Sequence, residues 1–83
     1  MSFRAIKKCD NCIEINFQSD IDLTDAIVKI LGKDRELIAK LTNPTYHMEF
    51  CVYTGSPMFV EVVNHHGTEV KYVIGSGDIY YEN

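Results

Sequence analysis

The chain has 83 residues, 46% hydrophobic and 24% charged, with a formal charge of −4 and a pI near 5.2. That balance excludes the apolar poverty of disordered chains. A chain this short buries only about 60% of its unfolded surface, so residues 1–83 are expected to form one domain. The acidic charge disfavours nucleic acid and anionic lipid as partners, and no apolar run approaches the ~20 residues that cross a bilayer.

The first elements come from "SFRAIKKCDNCIEINF". Ile13, Ile15 and Phe17 alternate with Cys12, Glu14 and Asn16, the period of a half-buried strand. An Asp10-Asn11 turn, whose residues tolerate positive φ, folds the preceding stretch back antiparallel and sets Ile6 opposite Ile15 and Lys7 opposite Glu14. The charges at positions 4, 7 and 8 are followed by no apolar run of signal-peptide length. Three cysteines, an odd number, then point to free thiols in a reducing cytoplasm.

Next, Leu23, Ile27, Ile30, Leu31, Ile38 and Leu41 recur at helical spacing and predict a helix over 22–41. Asp22 is the expected N-cap and Pro44 the stop. Asp25/Lys29 and Glu36/Lys40 stand in the favourable acid-first order at i,i+4. Gly32 is the weak point, costing about 1 kcal/mol against Ala.

Four further strands are predicted in "YHMEFCVY", "MFVEVVN", "TEVKYVI" and "DIYYE". Matching apolar faces across a three-residue "HHG" loop opposes Val62 to Val70 and Val60 to Tyr72. The same matching pairs Phe50 with Val60 and Glu49 with Glu61. The expected architecture is α+β: an antiparallel sheet of about six strands, in the order ββαββββ, with one helix packed on one face.

Cys9-x2-Cys12 with His47-x3-Cys51 has the look of a zinc set. On a strand, however, His47 and Cys51 lie about 13 Å apart, too far to share one ion, so Cys9, Cys12 and His47 remain a minor alternative. Redox chemistry at Cys9-Asp10-Asn11-Cys12 lacks a helix dipole, and His65-His66 reads as a solvated turn. The Glu49/Glu61 pair lies on an open face without a pocket. No phosphate-binding glycine loop, nucleophile elbow or HExxH occurs, so neither an enzyme nor a cofactor is expected.

The outer sheet face is more telling. The chosen registers line up Cys51, Phe59, Val73 and Tyr80, with Tyr53 near the same end, where a solvated face should be polar. The expected function is a small non-enzymatic protein-binding domain. It would be of the inhibitor, immunity or accessory type that phages and mobile elements carry, using this face for a homodimer or a partner protein. The alternatives are a single-stranded nucleic-acid binder stacking bases on these aromatics, which a flanking row of Glu49, Glu61, Lys71 and Glu82 opposes, and a small zinc module.

Overall fold

A computed structural model describes residues 2–53 and 55–75. It contains β1 (Phe3–Cys9), β2 (Cys12–Phe17), β3 (Ile27–Leu31), β4 (Leu37–Thr42), β5 (His47–Cys51), β6 (Phe59–Asn64), β7 (Gly67–Tyr72) and β8 (Ile74–Gly75). These strands build two four-stranded sheets, ordered β5-β2-β1-β8 and β4-β3-β6-β7. Every pairing is antiparallel except β1 with β8.

The α+β expectation is therefore corrected: the domain is all-β, and the described residues hold no helix. The segment assigned to a helix over 22–41 is a loop and a hairpin. Val28 and Ile30 are fully buried between partly exposed Ile27 and Lys29, which is the period of a strand. "AIVKIL" is also rich in β-branched residues, which lose rotamer freedom in a helix and pack well on a pleated sheet. Gly32 opens the connecting turn, closed by Gly32 N–H to Glu36 O at 2.9 Å and Arg35 N–H to Gly32 O at 3.0 Å. Arg35 (φ 62°) takes the left-handed conformation there. Asp22, the expected N-cap, instead folds a turn by accepting the Thr24 N–H at 2.9 Å.

Phe3, Ala5, Ile13, Ile15 and Phe17 of the first sheet meet Val28, Ile30, Val60 and Val62 of the second in one core. That packing of two sheets face to face gives a second layer where the sequence reading placed a helix. Two registers differ from expectation by one residue, and each reverses which side chains face outward. In the first hairpin Cys9 does oppose Cys12, but a bulge between Lys7 and Cys9 shifts the rest. Ala5 now opposes Ile15, and Ile6 opposes Glu14.

Across His65-His66 the loop has two residues, with Asn64 opposite Gly67, so Val60 faces Lys71 and Val62 faces Glu69. The inward positions of β7 are thus charged. They are tolerated at the sheet margin, where Lys71 approaches Glu69 at 3.9 Å and its ammonium lies 5.6 Å from the Phe3 ring centroid.

Candidate functional site

The residues expected to form one apolar row are dispersed. Cys51 lies on β5 of the first sheet, bonded to Cys12. Tyr53 follows it in a loop and is 97% exposed. Phe59 stands on β6 of the second sheet, and Val73, between β7 and β8, packs against the core. Tyr80 lies outside the described residues.

The minor zinc set does not assemble either. Cys9, Cys12 and Cys51 share one cross-strand row, because β5 pairs with β2 with Cys12 opposite Cys51. Cys12 and Cys51 form a disulfide, and His47 sits at the far end of β5, opposite Asn16. The expectation of three free thiols is corrected accordingly: Cys9 alone is free, and it is exposed. Its thiol points at Asn11 Oδ1, 3.6 Å away. Asn11 also ties the turn to the end of β5, with its Nδ2 donating to Val52 O at 2.9 Å. The same residue's carbonyl accepts the Val52 N–H at 2.8 Å.

Glu49 and Glu61 belong to different sheets. Glu49 opposes Glu14, and Glu61 opposes Lys29, whose ammonium lies 3.6 Å from its carboxylate. His65 and His66 do form a turn between strands, and each ring faces a carboxylate on the loop between β2 and β3. His65 Nε2 is 3.8 Å from Asp25 Oδ2, and His66 Nε2 is 3.9 Å from Asp22 Oδ2.

An apolar row does exist, on the outer face of the second sheet. Directly opposed residues share a face, so the pairs Leu37↔Leu31, Leu31↔Phe59 and Phe59↔Tyr72 align four side chains across β4, β3, β6 and β7. Phe59 is only 8% exposed although it faces away from the core. The Tyr72 ring lies against it at 4.6 Å between centroids, and the Arg35 guanidinium lies 4.5 Å over its face.

The two ends of the row stay open, Leu37 at 58% and Tyr72 at 67% exposure. The neighbouring row on this face runs Lys40, Lys29, Glu61, Val70. Within it Lys29 is held by Glu61, while Lys40 is exposed. The sequence reading missed Tyr72 because it matched apolar faces and turned that ring inward. The signal that could have placed it was the two-residue turn, for which Asn64 and Gly67 supply the flanks.

Fold and faces together define a two-layer all-β domain whose polar and aromatic chemistry lies on strand surfaces. Compared with known proteins, the chain matches no family model, no curated protein and no solved structure. No helix of the described residues is long and apolar enough to cross a membrane.

Proposed function

We propose that the chain is a non-enzymatic binding module that captures a partner protein on the outer face of its second sheet. One observation carries this reading: Tyr72, 67% exposed, packs at a tilt against a Phe59 ring that Arg35 covers, with Leu37 open at the other end of the same row. Tyrosine and arginine are among the side chains that most often dominate interface energetics, and a ring already packed against a neighbour has less rotamer freedom left to lose on binding. Arg35 and Lys40 on this face suit a partner segment that combines apolar and acidic side chains. A symmetric dimer through the same face is the competing outcome, and the oligomeric state of the purified chain in solution decides it.

Tyr72→Ser and Leu37→Ser should leave folding intact and abolish capture of the partner from the native host, compared by affinity purification with the unaltered chain. If the same partner is recovered undiminished by both variants, this face is not the interface. Phe59 is a poorer probe, since a change there disturbs a largely buried ring.

A second reading, single-stranded nucleic acid, gains from the exposed Tyr72 ring lying beside Arg35 and Lys40. A base stacked on such a ring contributes about 1–3 kcal/mol. One open ring on a chain of net charge −4 is thin support, and absence of gel retardation at low salt would dispose of it. A cytoplasmic location belongs to the same proposal. The Cys12–Cys51 bond weighs against it, because reducing compartments keep such pairs as thiols. Thiol counting on protein alkylated inside the host cell decides the point.

A further inference from the structure

The outer face of the first sheet carries a different chemistry. Register places Asn16 opposite His47 and Glu14 opposite Glu49, so these four side chains form two adjacent rows on strands β2 and β5. Donor atoms of Glu14, His47 and Glu49 all lie within 4.8 Å of one another. His47 Nδ1 is 3.5 Å from Glu14 Oε2 and 2.6 Å from Asn16 Oδ1. We propose that Glu14, His47 and Glu49 bind a divalent transition-metal ion, with the Asn16 amide oxygen beside the imidazole.

The arrangement has a feature that stability does not explain. Two glutamates directly opposite on paired strands repel each other, and such pairs are unfavourable in a sheet. Glu14 has partial relief from Lys8, whose ammonium is 3.7 Å from Oε1. Among the described residues Glu49 has no ion-pair or hydrogen-bond partner, and the side chain nearest in register is another carboxylate. A divalent cation between them turns the repulsion into shared coordination.

The donor set selects the metal class. An imidazole nitrogen with carboxylate oxygens suits Zn2+ and similar first-row ions, whereas Mg2+ and Ca2+ prefer all-oxygen cages. Three protein donors leave positions for water, as at open rather than closed zinc sites. The backbone beneath is fixed: the Cys12–Cys51 disulfide locks the β2/β5 register one row away on the same face. The 2.6 Å contact of His47 Nδ1 with the Asn16 amide oxygen, an acceptor, needs the ring proton on Nδ1. Metal binding at Nδ1 requires the other tautomer, with its proton on Nε2.

This site is independent of the protein-binding face, which lies on the other sheet. The test is calorimetric titration with ZnCl2, made on Cys9→Ser protein so that the free thiol contributes nothing. One Zn2+ per chain is expected, with affinity falling by about tenfold or more in His47→Ala and in Glu49→Gln. His65→Ala/His66→Ala should leave it unchanged. Far-ultraviolet dichroism establishes that each variant is folded. Co2+ added to the Cys9→Ser protein should shift the His47 ring resonances before those of His65 and His66. No binding at millimolar Zn2+, or binding that survives both ligand variants, overturns the assignment.

Discussion

Replacing both Cys12 and Cys51 by serine should cost the domain a large share of its stability while leaving its native structure in place. The bond joins residues 39 positions apart. In the chain-entropy account, closing a loop of that length in the unfolded state contributes about 4 kcal/mol. A domain of this size has roughly 4–12 kcal/mol in total. In the native state β5 keeps its ladder to β2, and hydrogen bonds flank the ladder at both ends: Phe17 N–H to Tyr46 O and Val52 N–H to Asn11 O, each 2.8 Å. The loss therefore falls mainly on the unfolded ensemble. Urea unfolding of the double variant should show a free energy lower by about 2–4 kcal/mol, and the unaltered protein in reductant should approach the same value. Oxidised protein and double variant agreeing within about 0.5 kcal/mol would refute the entropic reasoning. Three titratable thiols in folded protein purified without reductant would remove its premise.

Other expectations concern the core, one turn and one carboxylate. Ile30 is fully buried between the sheets, so Ile30→Ala should lower unfolding free energy by about 2–5 kcal/mol in the same assay. Gly67 holds φ 140°, which L side chains rarely adopt, so Gly67→Ala should destabilise by about 1 kcal/mol or more although nothing lies within 4 Å of the added methyl. Asp22 is held below the ordinary carboxylate range, first by the Thr24 backbone N–H and then by the Thr24 hydroxyl, opposed by desolvation and helped to a lesser degree by His65 and His66. A depressed folded-state value gives stability that is present above the unfolded-state value and lost as pH falls through the folded one. Denaturation curves of Asp22→Asn measured from neutral to acid pH should accordingly lose less stability on acidification than those of the unaltered chain, and an identical dependence would exclude the Asp22 contribution.

The first two strands were legible because the alternation of β2 is strict. Ile13, Ile15 and Phe17 are buried, with Glu14 and Asn16 between them on the other face. The middle was misread because Leu23, Ile27, Ile30, Leu31, Ile38 and Leu41 satisfy a helical period while Val28, Ile30 and Leu41 also satisfy two short strands. Periodicity alone does not separate such segments. Gly32-Lys33-Asp34 was the arbiter: a weak point in a helix, it is the natural turn of a hairpin, and Arg35 just after it accepts the left-handed conformation. Reading the hairpin would have supplied two more strands and with them a second sheet, removing the need for a helical layer.

The faces were harder to read than the strands, for a reason that lies in the margins of the sheets. Apolar matching assumes that inward positions are apolar, and at β7 they are Glu69 and Lys71. At a sheet edge a long charged side chain can lie along the core with its head near the margin, as Lys71 does over the Phe3 ring, although one Glu69 carboxylate oxygen stays buried without a hydrogen-bond partner among the described residues. The rule therefore fails where a strand has a neighbour on one side only. The cost of applying it was a one-residue slip, which exchanged every face on that strand and hid Tyr72 among the expected core residues. The β1 bulge hides information in the same way on the other sheet, since it moves Ile6 and not Lys7 opposite Glu14. Glu14 then faces Glu49 on its other side, the juxtaposition from which the metal proposal starts. Both candidate surfaces thus depend on local register: a two-residue turn in one sheet, and in the other the β2/β5 pairing held by the Cys12–Cys51 bond. Composition constrains neither. One residue inserted between His66 and Gly67, with the two-residue turn kept, would slip β7 by one position, set Val60 opposite Val70 and turn Tyr72 inward, and it should abolish partner capture without removing a single interface side chain.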